Sequence, residues 1–151
     1  MIKIICVGKI KENYIKAEIE DYYTRIKKYT NIQLIEVMDE KIEEEITTKR
    51  KEAERIKKHI DEKDYVVTME IEGEKMTSLS FAKFIDKTTM CYKNVTFIIG
   101  GSLGLDEEIK QRANKKISFS DLTFPHQLFR VLLLEQIYRS YKINHNENYH
   151  K

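Results

Sequence analysis

The residues best suited to chemistry lie in two segments of the last third of the chain. In the first, residues 97–108, Gly100, Gly101 and Gly104 follow an apolar run with the spacing G-G-x-x-G. Such spacing lets the backbone turn sharply at the carboxyl end of a strand and lets a ligand lie against main-chain N–H and C=O groups. It matches neither the dinucleotide fingerprint G-x-G-x-x-G nor the phosphate loop that ends in G-K-[ST]. A tight strand-to-helix turn uses the same glycines, so the motif alone leaves both readings open.

The second segment, FSDLTFPH at residues 119–126, sets short polar side chains and free backbone groups between apolar anchors. A ligand-binding turn fits it, and so does a β-to-α connection in which Thr123 caps a helix starting at Pro125. Both segments follow strands whose carboxyl ends lie on one side of a parallel sheet, so a shared pocket is physically reasonable. Arg130 and Arg139 stand nine residues apart in the following helix, about two and a half turns. That separation suits phosphates along an RNA better than one small ligand. At the terminus, Tyr149 could stack on a flipped base while His150 and Lys151 make polar contacts to it. A frayed end is the other reading.

Positioning these residues requires a sheet. Residues 2–7 form a β-branched apolar run ending at Gly8, and residues 32–38, 65–71, 95–99 and 116–119 read as further strands. Residues 95–99 are apolar at nearly every position, as expected of a strand covered on both faces. Gly73 is placed in the turn after the third strand. Between the strands, Ile15, Ile19, Ile26, Tyr22 and Tyr29 keep a helical period, as do Ile42, Ile46, Ala53, Ile56 and Ile60 within a charged stretch. Residues 79–87, with Ser78 as cap, and residues 106–113 read as short helices. A long helix runs from Pro125 to about Ile143, with proline in its favoured first turn. The alternation predicts a single α/β domain over residues 1–151 with a mainly parallel sheet and flanking helices. In the last helix Val131, Leu132, Leu134, Gln136, Ile137, Tyr138 and Tyr141 spread over more than one face, which points to a subunit interface.

Composition narrows the function less. The 27 basic and 25 acidic residues leave a net charge of +2, not the footprint of a protein that binds nucleic acid by charge alone. The distribution is uneven, with residues 1–30 and 126–151 basic and residues 39–64 acidic. Cys6 and Cys91 are far apart, without metal-ligand spacing, and are expected to be buried thiols in a reducing cytoplasm. No apolar stretch approaches the ~20 residues of a membrane span, and the first residues lack a signal-sequence pattern, so a soluble cytoplasmic protein is expected.

The segments GKIKENYI, IGGSLGL, LTFPHQLFRVLLLEQIYR and NYHK closely resemble the RlmH family of ribosomal RNA methyltransferases, in order and over nearly the whole chain. The LTFPH helix start running into RVLLLEQIYR is the most specific of them. The resemblance implies the SPOUT fold, an α/β sheet with a C-terminal trefoil knot, which no periodicity argument would find. It implies a homodimer that moves a methyl group from S-adenosylmethionine to N3 of a pseudouridine in 23S ribosomal RNA, in the large subunit of the assembled ribosome, with no metal, DNA or membrane involved. By motif match the donor pocket comprises Met69, where the family commonly has leucine, Gly100, and Phe119, Ser120, Asp121, Leu122, Thr123 and Phe124. His126 helps to shape it. Arg139, Tyr149 and His150 match the family's RNA-facing residues. Arg139 is then expected to stabilise negative charge on the base, and Tyr149 or His150 to orient the base or take its proton. A noncatalytic ribosome-binding protein of the same fold is the alternative, and a nucleotide enzyme on an ordinary doubly wound sheet a more distant one.

Overall fold

The computed structural model describes residues 1–41 and 44–151. Along the chain run β1 (Ile2–Val7), α1 (Asn13–Ile26), β2 (Ile32–Val37), α2 (Glu45–Lys57), β3 (Tyr65–Lys75), α3 (Ser78–Cys91), β4 (Val95–Ile99), α4 (Glu107–Arg112), β5 (Lys115–Ser118) and α5 (His126–Asn144). The five strands form one sheet in the order β2-β1-β4-β3-β5, parallel throughout. Register sets which strand ends share a level. Thr68 pairs with Ile98, Cys6 with Ile99 and Met69 with Ile117, so Met69 is level with Ile99 and Ile117, one residue before Gly100 and Ser118 at the carboxyl edge of β4 and β5.

Side chains alternate across a strand, and here both faces are covered. Ile2, Ile4, Cys6, Val95, Phe97 and Ile99 pack into the larger core with α1, α3 and α5. Ile5, Val7 and Ile98 face the smaller core with α2 and α4. That is why β1 and β4 read as apolar runs broken only by Lys3 and Thr96: every β4 residue is buried, and each large apolar one contributes roughly 1.5–3 kcal/mol by leaving water. The smaller face ends in a polar knot. Lys3 and Thr96 are register partners, and with Asp64 and Asn94 they form a buried network at the amino edge of the sheet.

The predicted elements all form, with differences at their ends that have local causes. β3 continues past Ile71 to Lys75, and Gly73 lies within it rather than in a following turn. The ladder with β5 slips between Met69 and Glu74, both of which pair with Ile117. A Cβ at Gly73 would lie 2.6 Å from the Ile117 carbonyl carbon, so only glycine lets the two backbones approach after the slip. α3 begins at Ser78, and its cap is Thr77, whose hydroxyl accepts from the Ser80 N–H at 3.1 Å. That helix runs on to Cys91, which leaves Cys91 exposed at its end, against the expected burial; Cys6 is buried, and burial pushes its thiol up to about 12. In α2, Thr48, Glu52, Ala53 and Ile56 make the buried face, and Ile46 is exposed, off that face. Ile42 lies outside the described residues. On α5, Val131, Leu134, Ile137, Tyr138 and Tyr141 are buried, wedged between α1 and α3, while Leu132 and Gln136 stay half-buried, so most of the breadth of its apolar face is used within the chain.

Candidate functional site

A cleft of about 470 Å³ opens where β3, β4 and β5 end, within the size range of small-molecule sites. Its floor is the turn after β4. Gly104 takes φ +83°, and its N–H donates to the Gly101 carbonyl at 3.0 Å. The turn is closed behind by buried Leu105 and by Asp106, which caps α4 by accepting from the Glu108 N–H at 2.9 Å. A Cβ at Gly100 would sit 2.9 Å from the Gly104 carbonyl carbon, so the turn folds tightly on itself only because that position is bare. Behind Gly101 lies the buried carboxylate of Glu52, which accepts from the Glu40 N–H at 3.1 Å; burial pushes this carboxyl above its ordinary range.

The opposite wall is the segment after β5. The Ser118 hydroxyl donates to the Ser120 carbonyl and the Leu122 N–H donates to the Ser120 hydroxyl, both at 3.0 Å. These local bonds fold residues 118–122 into a compact turn. Phe119, Phe124 and Phe129 make an aromatic corner, with Phe119 and Phe124 centred 5.2 and 6.2 Å from Phe129. His126 borders the same corner, and partial burial with the nearby Arg130 guanidinium lowers its imidazole below the ordinary value. The other end of the cleft is charged, with Lys49, Glu70, Glu72 and Lys110.

Of the residues singled out from sequence, Met69, Gly100, Phe119, Ser120, Leu122, Thr123 and Phe124 line this cleft. Asp121 belongs to the same turn, but its side chain pairs outward with Lys75. Thr123 does not cap α5; Pro125 takes the cap position and no side-chain hydrogen bond is made there. Arg130 is not available to phosphates. Its side chain is 2 % exposed, pairs with Glu36 at 2.9 Å and donates to the Val7 and Gly8 carbonyls at 2.9 Å each. It ties α5 to the end of β1. Beside it the Lys11 N–H lies 3.4 Å from Gln127 Oε1, which brings the basic N-terminal segment to the start of α5.

Arg139, Tyr149 and His150 form a second group at the far end of α5. Arg139 donates to Glu135 through Nε at 2.9 Å and Nη2 at 2.6 Å, and lies over the Tyr149 ring, 4.8 Å from its centre. The Tyr149 hydroxyl donates to the same Glu135 oxygen at 3.0 Å. Burial raises the Tyr149 phenol well above its ordinary value, and hydrogen bonds with Tyr22 and Glu135 add to it. Arg139 Nη1 is 3.1 Å from His150 Nδ1. A guanidinium can only donate, so Nδ1 accepts and the neutral ring carries its proton on Nε2. The tail is therefore docked rather than frayed, and Glu147 fixes it further through Lys142 at 2.8 Å and the Tyr29 hydroxyl at 2.9 Å.

Glu135 is the hub that the sequence reading passed over, although its i,i+4 spacing from Arg139 signals such a pair. Its carboxylate favours the neutral phenol that donates to it. In Glu135→Gln the Tyr149 phenol should therefore titrate at lower pH than in the parent chain. Ultraviolet difference titration against Tyr149→Phe measures this, and an unchanged or higher titration would remove Glu135 as the hub.

The family model described as "Predicted SPOUT methyltransferase" matches residues 1–150. Over 99 % of both chains, the protein is 47 % identical to the ribosomal RNA large subunit methyltransferase H of Clostridium kluyveri and 46 % identical to that of Clostridium tetani. Among solved structures it is similar to a probable methylase family protein from Haemophilus influenzae Rd KW20, with TM-score 0.57 and 14 % identity over 99 % of this chain and 70 % of that one. It is also similar to the SpoU methyltransferase AviRb from Streptomyces viridochromogenes, solved in complex with AdoMet, with TM-score 0.50 and 11 % identity over 92 % of this chain and 57 % of that one. Those two likenesses speak for the fold, and the matches along the full sequence speak for descent: this chain belongs to the SPOUT methyltransferase family.

Proposed function

We propose that the cleft binds S-adenosylmethionine and that the enzyme methylates N3 of a pseudouridine in 23S ribosomal RNA, within the large subunit of the assembled ribosome, as a cytoplasmic homodimer with a C-terminal trefoil knot. The observation that carries this reading is the cleft at the carboxyl ends of β3, β4 and β5, with a main-chain cradle at Gly100 and an aromatic corner at Phe119, Phe124 and Phe129. Its volume and its mixture of open backbone and aromatic surface fit a nucleoside-based donor. The names of the clostridial relatives support ribosomal RNA as the acceptor.

When bound, the donor supplies a methyl group made electrophilic by its sulfonium; the bond to N3 forms as the bond to sulfur breaks. The protein must align N3 with that bond and favour the base anion left when the N3 proton departs. Backbone groups of the two turns hold the adenosine, and the aromatic corner excludes water. Arg139 sits against the base carbonyls and stabilises their negative charge. With its phenol raised, Tyr149 is a poor proton acceptor; it stacks on the base, and His150 donates from Nε2. These two orient the base, and its N3 proton passes to solvent water.

Distance supports the dimer. Arg139 lies ten residues beyond Phe129, the last residue of α5 to line the cleft, about 15 Å along the helix at ~1.5 Å per residue. On that spacing a second copy is the source we propose for the Arg139 group at the methyl position. The basic segment at Lys9 and Lys11 would extend such a composite RNA surface.

The test combines calorimetry of S-adenosylmethionine, with NADH as control, and transfer of tritiated methyl to ribosomes that lack the modification. Binding of the donor alone and labelling of assembled ribosomes are expected. A folded protein that binds no donor would overturn the reading, and equal labelling of naked 23S ribosomal RNA would overturn its ribosome-specific part.

A further inference from the structure

Glu70 has no role in the description so far, yet it is the most enclosed charged group bordering the cleft whose pairing is known: its side chain is 7 % exposed. The slip of β3 against β5 between Met69 and Glu74 aims it there, and the bare Gly73 permits that slip. Bulges of this kind beside a site commonly redirect a side chain. Two partners fix the carboxylate. The Thr68 hydroxyl donates to Oε2 at 2.7 Å, and Lys110 Nζ lies 3.4 Å from Oε1. A carboxylate has about four acceptor positions, so roughly half of its capacity is unused where it meets the cleft.

We infer that Glu70 is the residue that recognises the ribose of the methyl donor, accepting hydrogen bonds from its vicinal 2′- and 3′-hydroxyls. The inference rests on the donor reading of the cleft. Its chemistry distinguishes a diol from the other donor group a carboxylate could hold, the α-ammonium of the methionine portion. Lys110 already balances the charge of Glu70, and an ammonium brought to the same oxygens would be repelled by it. Neutral hydroxyls meet no such conflict, and a buried carboxylate accepts from them strongly. Position agrees: Thr68 pairs with Ile98, so two residues further on Glu70 comes level with Gly100, and the carboxylate lies beside the main-chain cradle rather than at the aromatic corner.

The experiment compares three ligands by calorimetry on the full chain and on Glu70→Gln. They are S-adenosylhomocysteine, 5′-methylthioadenosine, which keeps the diol but lacks the amino acid, and the 2′,3′-dideoxy form of methylthioadenosine. The parent chain is expected to prefer methylthioadenosine over its dideoxy form by about tenfold or more. Glu70→Gln is expected to lose that preference while binding the dideoxy form as the parent does, which also shows an intact cleft. Because discrimination by the parent needs no variant, absence of any preference there overturns the inference even if Glu70→Gln fails to fold. Weakening confined to S-adenosylhomocysteine overturns it too, since the carboxylate would then serve the amino acid. A parent chain that binds none of the three overturns the donor reading itself, and the ribose assignment with it.

Discussion

Gly100→Arg protein is expected to bind S-adenosylmethionine at least ~100-fold more weakly than the parent chain, a loss of about 2.7 kcal/mol or more. Two effects act together. The Cβ alone would lie 2.9 Å from the Gly104 carbonyl carbon and 3.1 Å from Leu105 Cδ2, so the turn must open. The remainder of an arginine side chain then has the cleft as its nearest open volume. Gly104→Ala is the natural comparison. Nothing lies within 4 Å of a Cβ there, but φ is +83°, so its cost is backbone strain of about 1 kcal/mol with no obstruction. Calorimetry on both variants, with circular dichroism as a check on folding, separates obstruction from strain. Parent-like affinity in a folded Gly100→Arg protein would mean that the donor binds elsewhere.

Lys3→Met should lower the stability of the chain by about 3–5 kcal/mol, because it strands a buried carboxylate. Lys3 Nζ is 2.6 Å from Asp64 Oδ2, and the side chains of the pair are 5 % and 1 % exposed. Asp64 also accepts from Asn94 Nδ2 and the Thr96 hydroxyl, both at 2.9 Å. Burial works against its charge, but hydrogen bonds from Lys3, Asn94, the Asp61 N–H and Thr96 outweigh it and hold its carboxyl below the usual range. The sign for acid follows. A carboxyl lowered by folding binds fewer protons in the native state, so its stabilisation is full above the unfolded value near ~3.9 and is lost as pH falls through the lower folded value. Urea denaturation should therefore show the full gap between parent and Lys3→Met at neutral pH and a narrowing gap in strong acid. Lys3→Met with Asp64→Asn should recover part of the loss. A neutral-pH difference below about 1 kcal/mol would rule out the pair as a major contributor.

Much of this architecture was legible because it is written in short periods. The apolar runs of β1 and β4 and the spacing of Ile15, Ile19 and Ile26 announce what they bury, and the G-G-x-x-G turn announces where a strand stops. Helix caps shift by a residue for local reasons, as at Thr77, but the larger differences fall where a partner distant in sequence decides. Glu-Ile-Glu-Gly after Met69 reads as strand giving way to turn, since nothing local reveals that Ile117 lies close enough to exclude a Cβ. Arg130 reads as a phosphate ligand because its true partner, Glu36, is ninety-four residues away. The apolar surface of α5 points to a second subunit, yet α1 and α3 inside the same chain absorb most of it. For the candidate site, the cleft segments could be named from motifs and Glu135 carries a spacing signal, but Glu70 could not be singled out until the bulge geometry was known.

The Arg130 clamp also has a meaning for the order in which the chain is made. It joins Val7 and Gly8 to α5, 123 and 122 residues further along the chain, and β1 is an interior strand of the sheet whose carboxyl end holds that cation. Until translation has passed α5, Glu36 has no guanidinium and two carbonyls at the head of the sheet have no donor. Contacts of such long span close late and slowly. A chain made only as far as β5 thus holds all five strands but neither the clamp nor the tail group, and the carboxyl end of β1 is secured only when α5 has docked on it.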